Sequence, residues 1–149
     1  MELSKVLNAF WKWLDMPRDE YDRRSMGNEL EEFCFTKYGE LIDAVCAEIS
    51  ADNYEAIDEI LDVLAIDNEE ENVLDHIEAH ASDEMLNRLI ASGIKHSLRN
   101  TRWQIAELLS RRKTSLNESA LNCLMEDVDP YVRKRAKNSW ERLFGTDNN

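Results

Sequence analysis

Residues 127–136 read Asp127-Val128-Asp129-Pro130-Tyr131-Val132-Arg133-Lys134-Arg135-Ala136. Asp129 followed by Pro130 is a strong helix start. The carboxylate accepts from the orphan N–H groups of the first turn, and proline at the first helical position forfeits no hydrogen bond. Val132, Ala136, Trp140 and Leu143 then recur at helical spacing as far as Gly145. One amphipathic helix is therefore expected to close the chain.

This helix has a counterpart 31 residues upstream, where residues 102–109 align with 133–140. Each begins with an arginine, Arg102 or Arg133, followed about one turn later by a small or apolar residue. An apolar helix precedes each, over residues 83–95 and 115–126. Residues 53–80 keep the helix pair but not the arginine, with Glu71 standing where the offset predicts a base. A recurring unit of this length reads as stacked helix pairs, each burying its apolar face against its neighbours. The last unit, with Asp129 at the helix start, Val132-Arg133 after it and Ala136 where helices pack closely, resembles the second helix of a HEAT-like repeat. That resemblance implies an all-α short solenoid of stacked antiparallel helix pairs.

The rest of the chain agrees with an all-helical reading. Leu3, Val6, Leu7, Phe10 and Leu14 mark a first helix that stops before Pro17. A short turn or irregular helix is expected over Arg18–Asn28, with further segments beginning at Leu30 and carrying Leu41, Ile42, Val45, Cys46 and Ile49. Asp52 with Glu55, Asp67 with Glu70, Ser82, Asn100 or Thr101, and Ser115 with Glu118 read as helix starts. No sustained period-2 alternation and no Asn-Gly or Asp-Gly turn argues for a strand. Eight or nine helices are expected in a single domain over 1–145: N-terminal helices and cap over 1–50, about three HEAT-like pairs over 53–144, and a polar tail over 146–149.

Composition narrows the function. The chain carries 31 acids against 18 bases, a net charge of −13. Sixteen of those acids fall in the fifty residues from Tyr38 to Asn87, which hold no lysine or arginine. Phosphate polymers and anionic membranes are repelled by such a chain, whereas a basic protein is attracted. Three widely spaced cysteines, Cys34, Cys46 and Cys123, suggest reduced thiols in a cytoplasmic protein. No apolar run is long enough to span a membrane, and the start of the chain lacks the pattern of a signal peptide.

Enzyme signals are absent: no GxSxG, P-loop, CxxC or HExxH occurs, so no catalytic role and no cofactor is expected. His76 and His80 stand at i and i+4, but spacing fixes no third metal ligand, so they read as half-exposed histidines of an amphipathic helix. Trp11 and Trp13 read as core or end-cap packing, because a membrane anchor would be more basic. The basic cluster of Arg111, Arg112, Lys113, Arg133, Lys134, Arg135 and Lys137 reads as compensation for helix ends and for the acidic middle. HEAT-like repeats in one bacterial glycosylase family bind DNA through a basic concave surface. The sign of the charge is reversed here, and that activity is not carried over.

The candidate site is the acidic middle. Glu55, Asp58, Glu59 and Asp62 share one helix face, and Glu71, Asp75 and Glu78 repeat the spacing on the next helix. Like charges at i,i+4 cost roughly 0.2–0.5 kcal/mol per exposed pair. Three such pairs without interspersed lysines point to a surface kept acidic for a basic partner, with Tyr54 as its aromatic anchor. A nuclease is an obvious partner class, since its site must be positive. Small, acidic, all-helical chains without catalytic groups resemble the immunity proteins of bacterial polymorphic toxin systems, including contact-dependent growth inhibition. The resemblance implies binding and occlusion of one cognate toxin domain. The competing expectations are a HEAT-like adaptor without a toxin and a nucleic-acid mimic.

Overall fold

The structure, a computed structural model, describes residues 2–24 and 35–145, without the side chains of Phe35 and Thr36. The expected segment start at Leu30, the turn around Gly27, Cys34 and the polar tail lie outside the described residues. Within them the chain is all α: nine helices, one short 3-10 turn and no strand. The helices are α1 (Leu3–Leu14), α2 (Arg18–Arg24), α3 (Phe35–Ser50), α4 (Ile57–Ile66), α5 (Asn72–His80), α6 (Asp83–Gly93), α7 (Arg99–Arg111), α8 (Asn117–Leu124) and α9 (Pro130–Phe144). Among the described residues no helix is long and apolar enough to cross a membrane.

The core is built around α4. Eight of its ten residues are buried, so its apolar side chains are covered nearly all round. It packs against α1, α3, α5, α6 and α7. Helix α7 is the second organising element: it lies against α4 on one side and α9 on the other, with α8 packed on both α7 and α9. Buried hydroxyl and amide groups fasten this row by donating to helix carbonyls. Thr101 Oγ1 reaches the Leu61 carbonyl at 2.6 Å and Gln104 Nε2 the Leu64 carbonyl at 2.6 Å, tying α7 to α4. Ser139 Oγ reaches the Ala106 carbonyl at 2.7 Å, tying α9 to α7. Each of these donors is fully buried, and a buried donor without its acceptor costs about 1–3 kcal/mol.

Helix starts follow two of the expected caps. Ser82 Oγ accepts from the Met85 N–H at 3.1 Å, and Asp129 Oδ2 accepts from the Val132 N–H at 3.0 Å ahead of Pro130. Elsewhere a neighbour takes the role. Asp52 adopts a left-handed conformation (φ 55°) and accepts from Ser82 Oγ, so Asn53 caps the 3-10 turn instead. The Ser115–Glu118 box does not form: α8 starts at Asn117 with Leu116 in the capping position, and Asn117 Oδ1 accepts from the Thr114 N–H at 2.7 Å. Asp67 caps α5 from farther upstream than expected, accepting the Val73 N–H at 2.8 Å across a loop that folds back through Glu71 (φ 57°).

The stretch after Pro17 is a regular helix. In α2 the acids Asp19 and Glu20 stand in the first turn and Arg23 and Arg24 in the last, matching the helix dipole. It buries Tyr21, which meets Trp11 edge-on at 5.5 Å, while Arg18 lies over the Trp11 ring. Trp11 thus packs against the core, and Trp13 remains 41% exposed. The aligned arginines converge on one residue rather than repeating one contact. Arg102 forms a two-pronged bond to the Asp127 carboxylate at 2.8 and 3.1 Å, and Arg133 donates to the Asp127 carbonyl at 2.7 Å.

Candidate functional site

The acidic segment folds into two groups of carboxylates with different electrostatic fates. On α5, Glu71, Asp75 and Glu78 come together around one guanidinium. Arg111 reaches Glu71 at 3.2 Å, Asp75 at 3.1 Å and Glu78 at 3.3 Å, and its Nε reaches Glu107 on its own helix at 3.3 Å. Next to it Arg112 donates to the Ile77 and Ala81 carbonyls at the end of α5 and to Asp83. Arg111 and Arg112 therefore partly compensate the acidic middle and a helix end, with one guanidinium shared among Glu71, Asp75 and Glu78.

The four carboxylates expected on one helix face separate, Glu55 standing on the 3-10 turn (Tyr54–Ala56) and Asp58, Glu59 and Asp62 on α4. Asp62 is buried, accepting from Arg18 on α2 and from His96 Nε2 at 2.8 Å in the turn between α6 and α7. Burial pushes its carboxyl up, but the bonds from His96 and Arg18 outweigh that and hold it below the usual range. Asp62 thus joins three elements rather than facing a partner. It lines a cavity of about 490 Å³ with Asp58, Arg18, Ser92, Lys95, His96 and Ser97, in which both signs of charge are present.

Glu55 and Glu59 line a different cavity, of about 360 Å³, between the start of α1, the end of α3 and the start of α4. Its other walls are Glu2, Leu3, Ser4, Glu48, Asn53 and Ala56. Four carboxylates line the concavity, and among the described residues no base does. Burial raises the Glu59 carboxyl above its ordinary range, and the neighbouring charges of Glu48, Asp62 and Asp58 push it further the same way. Asn53 is held at the rim by a 2.9 Å bond from its Nδ2 to Glu48 Oε1.

Tyr54 sits beside this concavity, half-buried, with the Arg88 guanidinium 4.2 Å over its ring. Arg88 is itself held by Glu84 at 2.7 Å. A cavity of about 340 Å³ lined by Tyr54, Glu55, Ile57, Asp58, Arg88, Ala91 and Ser92 continues the surface toward α6. Tyr54, Glu55, Asp58 and Glu59 are therefore neighbours on one accessible surface, to which the structure adds Glu48 and Glu2. Glu48 lies in the acidic run and is detectable by its charge. Glu2 is joined only by tertiary packing of α1 and has no local signal. The arginine partners of the α5 acids are likewise forty residues or so away in sequence and invisible to helix periodicity.

Other titratable groups are structural. His76 and His80 stack with ring centres 4.7 Å apart, and His76 Nε2 lies 3.0 Å from Ser50 Oγ. Among the described residues no three His, Cys, Asp or Glu side chains are grouped to hold a metal ion. Asp67 is fully buried, and burial raises its carboxyl to about 6 against the hydrogen bonds it accepts from Val73 and Tyr38. Comparison with protein-family models, curated proteins and solved structures returns no match for this chain.

Proposed function

We propose that the protein is an immunity protein that binds and neutralises a basic toxin domain, of the nuclease class, by occluding its active site or substrate surface. The observation that carries this reading is the concavity lined by Glu2, Glu48, Glu55 and Glu59, in which no base takes part among the described residues. Packing like charges together stabilises nothing in the free chain, and at Glu59 burial and the neighbouring carboxylates disfavour the ionised form. A cationic group inserted there gains what the fold leaves unmet. The adjoining Tyr54 and Arg88 supply an aromatic–guanidinium surface of the type enriched at interface hot spots. The choice of a toxin as the basic partner rests on the resemblance of size, charge and all-α class to immunity proteins.

The second reading, a HEAT-like adaptor without a toxin, is favoured by the packed succession of α4, α7 and α9. Coexpression separates the two. With the toxin domain encoded beside its gene, the protein restores growth and copurifies as a complex on the first reading. Absence of protection overturns that reading, and capture of a stable housekeeping assembly favours the second. The charge test belongs on Glu48, Glu55 and Glu59. Asp62 is unsuitable, because a lysine there would face Arg18 and His96 in the interior.

A further inference from the structure

The far end of the chain carries a surface of opposite character. A cavity of about 320 Å³ on α8 and α9 has Met125 and Pro130 as apolar floor and is ringed by Arg133, Lys134 and Lys137. Lys134 and Lys137 make no ion pair among the described residues, and Arg133 is engaged only by the Asp127 carbonyl. Arg102, Arg111 and Arg135 each hold a carboxylate, whereas Arg133, Lys134 and Lys137 hold none among the described residues and stand together, on a protein of net charge −13. Val128, two residues before Pro130, is 90% exposed although it is β-branched and apolar.

We propose that this patch docks an acidic protein segment carrying one apolar anchor, independently of the acidic concavity near α4. Charge complementarity selects the sign: the bases at 133, 134 and 137 occupy neighbouring positions on α9 and await carboxylates. The floor selects a peptide over a phosphate polymer. Methionine is an adaptable apolar contact and proline a rigid one, and neither contributes to holding a phosphate backbone. Three bases also release few counterions, too few to offset the repulsion of a polyanion by the rest of the chain.

The experiment uses the full chain and a fluorescein-labelled acidic peptide with one central tryptophan, followed by fluorescence anisotropy. Binding is expected, weakened roughly tenfold or more by Lys134→Glu with Lys137→Glu. Replacing the peptide tryptophan by serine is expected to weaken it comparably. Both lysines are exposed, and unchanged circular dichroism checks that the double variant folds. Absence of binding, equal binding of the serine peptide, or insensitivity to the lysine changes overturns the proposal. So does displacement by a single-stranded oligonucleotide as readily as by unlabelled peptide. Sedimentation that shows a dimer of the protein alone, lost in the lysine variant, would assign the patch to a second copy and also overturn it.

Discussion

Asp67 and Glu107 are buried carboxylates with opposite roles. Asp67 titrates near 3.8 unfolded and about 6 folded, because burial disfavours its charge more than Tyr38 and Val73 favour it. Between those values the native state binds the extra proton, so unfolding free energy rises as pH falls from about 7 toward 4. The span is on the order of 2–3 kcal/mol. Asp22 and Glu59, also raised, act in the same direction. Asp62 and Glu107 are held below 3.8 and 4.5 and lose their contribution only in stronger acid. Asp67→Asn keeps an acceptor for Val73 and should flatten the stability profile between pH 5 and 7 in urea titrations, the window set by the Asp67 value. An unaltered slope would contradict the assignment. Glu107, 8% exposed, accepts from Arg111, Arg135 and Arg142. Glu107→Gln leaves Arg135 and Arg142 short of a counter-charge, while Arg111 keeps Glu71, Asp75 and Glu78, and should cost roughly 1–3 kcal/mol, read as a lower urea midpoint. The half-exposed Arg142 keeps the effect toward the lower figure.

At the scale of elements, close packing of α6, α7 and α4 depends on Gly93. A Cβ there would stand 2.6 Å from Ile105 Cγ1 and 2.8 Å from Cδ1, and Ile105 is fully buried with no room to retreat. Gly93→Ala should therefore destabilise by about 1–3 kcal/mol despite its better helix propensity, measurable as a lower melting temperature. The apolar spacing that marks α1, α4 and α9 was readable because it records burial directly, as were the caps at Ser82 and Asp129. The cap at Asp52 misread because neighbouring Asn53 takes the Glu55 N–H, and the one at Ser115 because the helix begins two residues later, after Leu116, with no side-chain cap. Within the site, periodicity treated Glu55, Asp58, Glu59 and Asp62 as one helix face, whereas Glu55 stands on the 3-10 turn before α4 and Asp58 lines a different concavity from Glu59. It could not see that α2 and the turn carrying His96 cover the end of that face at Asp62. Nor could it pair Arg111 with the α5 acids, since those contacts are made only once α7 packs on α5. A local pattern reports what one helix presents, and the fold decides which part stays open.

Across the whole molecule, charge is sorted rather than spread. Arg111 of α7 gathers the acids at α5, Arg18 and His96 hold Asp62, and the concavity between α1, α3 and α4 keeps four carboxylates without a base among the described residues. If that surface steers a basic partner, association slows as salt rises, and Glu48→Lys with Glu55→Lys and Glu59→Lys lowers the low-salt rate by roughly tenfold or more. Stopped-flow association at two ionic strengths reads both effects. The central claim meets its most direct test in cells that express the toxin domain encoded beside the gene together with this protein or its triple lysine variant. The account predicts growth and a copurifying complex with the wild-type chain, and loss of both with the equally abundant, folded variant. No protection by the wild-type chain, or equal protection by the variant, would contradict it.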